Sequence, residues 1–162
     1  MKEIFVQYAS YNVWATNSLL DVIRALPEEK LHLPINSSFP SIFKTLLHLL
    51  DAESIWWQRM NLKERIDKPS DGFTGDMIAL GTAIQKQNKL WSDWVTAANE
   101  NKLQHEFFYH DSRGERHKSP VYQVLLHLLN HGTYHRGQLI TMLRQVGVEK
   151  LPCTDFIAWA RK

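Results

Sequence analysis

The chain has 162 residues, a formal charge of +2, 44% hydrophobic and 22% charged residues; that suffices for one domain, 1–162, whose core needs no disulfide or structural metal to hold it. Lys and Arg are scattered among acids, which excludes an electrostatic footprint for nucleic acid, and no apolar run approaches the roughly 20 residues of a membrane span. The single cysteine, Cys153, excludes an intrachain disulfide framework and fits a reducing compartment, so a cytoplasmic protein that engages neither nucleic acid nor membrane is expected.

Ile4, Tyr8, Tyr11, Ala15, Leu19, Val22 and Leu26 recur at helical spacing, and Pro27 supplies a stop. On this first helix Tyr8, Tyr11, Asn12 and Trp14 either line a pocket mouth or form ordinary aromatic core. Residues 31–39 read as a long connection, after which Pro40 suits the first turn of a second helix over about 40–61. Its Trp56-Trp57 pair reads as core or interface. Asp67, Pro69, Ser70, Asp71 and Gly72 form a linker, and Thr74 is the expected N-cap of a third helix reaching about Ala98, with an aromatic face at Trp91 and Trp94. Phe107-Phe108-Tyr109 and the turn chemistry of Asp111-Ser112-Arg113-Gly114 predict a short hairpin within 103–119. Ser119 as N-cap and Pro120 at the first position then open a fourth helix, carried by Val121, Val124, Leu128, His135, Leu139, Met142 and Val146 and closed by Gly147. Phe156 and Trp159 predict a short last helix docked on the body. The fold class is all-α, a four-helix bundle with a short β-hairpin before the last long helix; the long connections leave the order of helix directions open.

His131 and His135 lie four apart on the fourth helix, a spacing that stacks two imidazoles within reach of one metal ion. Eight histidines would produce about 0.4 such pairs by chance, so the spacing alone decides little. Position adds weight: residues 124, 128, 131, 135, 139 and 142 share one stripe that is otherwise Val, Leu, Leu and Met. Two imidazoles crowded on an apolar face resist protonation, and a shared cation resolves the conflict. The third ligand is best supplied by His48, set among leucines in the second helix, with His127 as the competitor. His32, His105, His110 and His117 fall in loops or the hairpin. Gly132 stands where His-Glu-x-x-His would place its general base, which disfavours zincin chemistry. Three ligands leave a position for substrate or water, as in catalytic zinc sites. Gln138, one turn past His135, can orient a ligand or bind substrate; Asp51, one turn past His48, either accepts a hydrogen bond from an imidazole or is a solvated acid; Arg136 points aside and anchors a neighbouring helix.

The blocks Tyr11-Asn12-x-Trp14-Ala15-x-Asn17, Ser38-Phe39-Pro40-Ser41-Ile42, Leu47-His48-Leu49-Leu50-Asp51-Ala52-Glu53-x-x-Trp56, Asn130-His131-Gly132-Thr133-Tyr134-His135-Arg136-Gly137-Gln138 and Pro152-Cys153-Thr154-Asp155-Phe156 together resemble the DinB family, within the DinB/YfiT-like group, over nearly the whole chain. That resemblance implies an up-down-down-up bundle, a divalent cation, zinc or nickel, on His48, His131 and His135, and a homodimer. Related members are thiol S-transferases or thiol-dependent isomerases, so the resemblance makes a thiol S-transferase acting on a small-molecule thiol and an electrophile the expected activity; Gln138 and Asp51, by their places one turn past the histidines, are the candidate catalytic residues. Metal-dependent hydrolysis and a non-enzymatic metal-binding stress-response protein are the alternative readings.

Overall fold

The apolar stripes close on one another as four long helices, α1 (Lys2–Arg24), α3 (Ile42–Met60), α4 (Met77–Ala97) and α6 (Val121–Gln145), in a computed structural model that describes residues 1–161. Short helices fill the connections and the tail: α2 (Glu28–His32), α5 (Glu100–Gln104) and α7 (Phe156–Ala160). A two-stranded antiparallel sheet, β1 (Glu106–His110) with β2 (Arg116–Pro120), precedes α6 as the aromatic run and its turn predict. Among the described residues no helix is long and apolar enough to cross a membrane.

Helix starts follow side-chain acceptors more closely than the proline and threonine signals suggest. Ser41, not Pro40, opens α3, its hydroxyl accepting from the Lys44 N–H at 3.2 Å, and Asp76, not Thr74, opens α4, accepting from the Ala79 N–H at 2.8 Å. Ser119 does not cap α6 either. Pro120 occupies the N-cap and is also paired with Glu106 in the ladder, while the Val121 N–H bonds back to the His105 carbonyl at 3.0 Å, so hairpin and helix join without a linker. Gly147, at φ 89°, ends α6 as expected.

α3 ends differently. Lys63 N–H returns to the Gln58 carbonyl at 3.1 Å in a Schellman-type closure, and the left-handed position is filled by Leu62, at φ 53° and 67% exposed. A Cβ is strained there, and this side chain recovers little by burial.

α1 packs on α4 and α6, and α3 packs on the same two helices. Two apolar clusters result. One gathers Leu19, Leu20, Ile23, Leu46, Leu80, Leu139 and Leu143; the other gathers Phe5, Ala9, Trp91, Val95, Val124, Leu125 and Leu128. Between them lies a buried polar layer to which all four long helices contribute: Asn12, Glu53, Asn88 and Arg136. Asn88 Nδ2 donates to Glu53 Oε2 at 2.6 Å and Asn12 Nδ2 to Oε1 at 3.5 Å, while Arg136 donates to Asn12 Oδ1 and, at 3.0 Å, to Thr133 Oγ1. The anchoring role expected of Arg136 is thus met on α1. Burial pushes the Glu53 carboxyl up to about 7, with the two amides and the Arg136 charge pulling the other way.

Glu53 binds its proton more tightly folded than unfolded, so its contribution falls as pH rises from the ordinary 4.5 through about 7, by up to about 3 kcal/mol. Urea denaturation across that window is expected to show the wild type losing stability relative to Glu53→Gln as pH increases; parallel profiles overturn this. Leu62→Gly is expected to raise the urea-derived unfolding free energy by about 0.5–1 kcal/mol, relief of the left-handed strain exceeding the added chain entropy.

Candidate metal centre

His48 sits midway along α3, where it faces His131 and His135 on successive turns of α6. His48 Nε2 and His135 Nε2 each lie 3.0 Å from His131 Nε2, and one donor nitrogen from each ring falls within 4.8 Å of the other two. In a tetrahedral set with bonds of about 2.0–2.1 Å the donors stand about 3.3 Å apart, so the two 3.0 Å contacts to His131 need to open by only a few tenths of an ångström around an ion.

Hydrogen bonding alone cannot satisfy this cluster. His135 Nδ1 lies 2.7 Å from Gln138 Oε1, an acceptor, so Nδ1 carries the proton and Nε2 carries the lone pair. His131 Nε2 can then donate to His135 only if it holds its own proton. Its contact with His48 Nε2 is left to an N–H that has already been given away. A cation shared by three lone pairs removes the conflict.

Burial, followed by the charge of His135, lowers His48 from the ordinary 6.5 to about 4, and Asp51 opposes this without prevailing. His131 falls to about 4 for the same reasons, burial first and its imidazole neighbours next; His135 is also lowered by burial, against the pull of Gln138. At neutral pH the rings are unprotonated and offer lone pairs.

Phe39, from the segment that leads into α3, stacks on His48 at 4.1 Å and 23° and stands 5.7 Å from His135. Gln138 ties this covering segment to the cluster: its Oε1 accepts from His135 while its Nε2 donates to Ser38 Oγ at 2.8 Å and to the Tyr134 hydroxyl at 3.1 Å. From its place one turn past His135, Gln138 thus bonds that candidate ligand directly.

Asp51 stands elsewhere. It is buried, with Oδ1 accepting from the Ser70 N–H at 2.8 Å and Oδ2 from the Ser70 hydroxyl at 2.6 Å, and Lys68 Nζ is 3.9 Å away. It clamps the α3–α4 connection to α3 and is neither a solvated acid nor hydrogen-bonded to an imidazole. His127 is not part of the trio; its exposed ring lies 5.7 Å from His131 and 5.5 Å from Trp56. His32, His105, His110 and His117 are exposed, His32 beside Glu28 and His117 beside Asp111. Tyr11 and Asn12 belong to the buried interior, whereas Tyr8 is 37% exposed and stacks on Phe156 at 5.0 Å. Trp57 meets Trp91 at 5.1 Å, inside the core, and Trp56 meets Tyr109 of the hairpin.

Phe39 and the Asn12–Glu53–Asn88–Arg136 layer are the parts that sequence reasoning did not place. A charged residue set among apolar neighbours, as at Glu53, was the available signal for the layer; for Phe39 there was none short of the tertiary fold.

Comparison with known proteins gives a consistent picture. A family model described as DinB family matches residues 1–161. Protein DinB of Bacillus subtilis (strain 168) is 29% identical over 170 residues, covering 96% of this chain and 93% of its own. The crystal structure of a DinB-like protein from Bacillus cereus ATCC 10987 shares the fold, with a TM-score of 0.73 at 22% identity over 93% of this chain and 95% of the other.

Elemental analysis of protein purified without an affinity tag is expected to find one divalent ion per chain, lost in His135→Ala and in His48→Ala. Gln138→Ala, which frees His135 to turn, is expected to retain the ion with affinity lowered about 10–100-fold in chelator competition. Metal-free wild type, or metal retained in both histidine variants, contradicts the assignment.

Proposed function

Because the chain belongs to the DinB family, we propose that it is a divalent-metal-dependent enzyme, a low-molecular-weight-thiol S-transferase that holds zinc or nickel on His48, His131 and His135. The observation that carries this reading is the convergence of three unprotonated imidazoles from two helices, a set that fits such an ion with a position left open. When bound, the ion supplies Lewis acidity that lowers the pKa of a thiol, so that sulfur attacks an electrophile as thiolate.

The chain's own residues set the conditions for that attack. Gln138 holds the His135 Nδ1 proton and so presents the Nε2 lone pair inward. Phe39 lies against two of the three rings and keeps water from that side, which strengthens electrostatics within the site. The Asp51–Ser70 clamp steadies the turn of α3 that follows His48. With both carboxylate oxygens engaged, Asp51 supports the site by position and not by proton transfer.

The same reading treats the chain as one domain of a cytoplasmic homodimer acting on a small-molecule thiol and an electrophile. Ile4, 64% exposed, and Leu126, 53% exposed, border a groove of about 570 Å³ between α1 and α6, an uncharged face that supports self-association. An up-down-down-up order of the long helices is supported by the pairing of His48 with His131 and His135 while Trp56 meets His127, which sets α3 against α6, and by Glu53 and Trp57 meeting Asn88 and Trp91, which sets α3 along α4.

With 2-mercaptoethanol as thiol and 1-chloro-2,4-dinitrobenzene as electrophile, turnover is expected to scale with metal occupancy and to vanish in His131→Ala. Ester or amide cleavage that needs no thiol favours the hydrolase instead. Stoichiometric metal with neither reaction favours the non-enzymatic metal-binding protein.

A further inference from the structure

Two glycines interrupt the middle of α6, and only one has a reason inside this chain. A Cβ at Gly132 would stand 3.1 Å from Asn12 Oδ1 and 3.0 Å from the Arg136 guanidinium, so the buried polar layer requires that glycine. Around the Cβ position of Gly137 no atom lies within 4 Å. Glycine is the poorest helix former after proline, so its place in an exposed helix interior points to something outside the chain that approaches the backbone.

The surroundings show what that is. Gly137 lines a groove of about 320 Å³ between α6 and residues 35–37; it lies two residues beyond His135 and about 200° around the helix from it, and Gln138, which bonds His135, connects the two places. Ile35 and Met142 make part of its wall apolar, and none of its lining residues carries a charge. Asn36, Ser37, Tyr134, Gln138, Thr141 and Gln145 supply carboxamides and hydroxyls, and the side chains of Asn36, Ser37 and Gln145 make no hydrogen bond among the described residues. Gln138 belongs to both places, lining the groove and holding His135. A carboxylate or ammonium finds no counter-ion among these residues, whereas an amide finds donors and acceptors along its length.

Building on the thiol-transfer reading, we propose that the groove over Gly137 is the subsite for the non-reacting arm of the substrate, and that it takes an uncharged arm of carboxamide type laid against the α6 backbone. Gly137 is then a specificity determinant: its missing side chain is the space the arm occupies.

The test uses cobalt-loaded full-length protein and the thiolate-to-cobalt absorption band, with 2-mercaptoethanol, N-acetylcysteinamide and N-acetylcysteine as probes. The neutral diamide is expected to bind about tenfold more tightly than 2-mercaptoethanol, with most of that gain lost in the carboxylate analogue. Gly137→Trp is expected to erase the gain while leaving metal content and 2-mercaptoethanol affinity unchanged. Gly137→Ala, whose methyl group meets no atom, is expected to raise the melting temperature and confirms that the position tolerates a side chain in the free protein. An equal gain in Gly137→Trp, or no gain in the wild type, overturns the subsite. So does a drop in sedimentation mass in Gly137→Trp with the thiol ranking unchanged, which assigns the glycine to a contact between copies. If no thiol raises the band, the thiol reading fails by itself. The groove is then read from amide NMR shifts of Gly137, Thr141 and Gln145 with N-acetylglycinamide, and an unchanged spectrum overturns it.

Discussion

A carboxyl group shut away from water, that of Glu53, holds the bundle in register. An acid in such a place is costly unless every neighbour is aimed at it, and here Asn88 of α4 and Asn12 of α1 are, with Arg136 of α6 reaching Asn12 from the far side. One polar residue per long helix means that no helix slides without breaking a bond in the layer. Apolar contacts above and below tolerate small shifts; hydrogen bonds of fixed direction do not. Sliding α3 by one residue moves its side chains about 1.5 Å along the axis and turns them about 100°. His48, five residues before Glu53, is held opposite His131 and His135 by that restraint. Gly132 gives way so that Asn12 and Arg136 can meet, which places one requirement of the candidate metal centre inside the core.

The centre itself is built from neutral parts. Burial keeps the imidazoles uncharged, the covering ring is Phe39, and the groove that shares Gln138 with them has no charged residue. A divalent ion would then be the dominant charge of the site, acting in surroundings of low polarity where its field is least screened. Gln138 links all three regions with one amide: His135 on the oxygen, Ser38 and Tyr134 on the nitrogen. A bond broken at any of the three is felt by the other two.

Much of this was legible in the residues because helical spacing is a strong local signal. The four long helices, the hairpin, the docked tail and the His131/His135 pair all follow from patterns read within a dozen positions. What escaped depends on geometry between helices. The stripe assigned to α6 is rotated from the one the core uses: Val121, Leu125, Gly132, Arg136 and Leu143 are buried along with the expected positions, and this places His131 at the margin facing α3. Asp51 looked like a partner for His48 because both lie on one helix face, yet Ser70, nineteen positions away, takes both its oxygens. Starts shifted at Ser41 and Pro120 because a side-chain oxygen or a ladder contact outweighed proline's preference for the first turn, and at Asp76 because its carboxylate, not the Thr74 hydroxyl, accepts from the first turn of α4.

At Pro120 one residue is both the last rung of the sheet and the first support of α6. The ribbon of two strands therefore runs into the helix axis without a flexible joint, about three turns before His131 and four before His135. The hairpin and the helix that carries two of the candidate ligands are in this way one continuous piece of backbone.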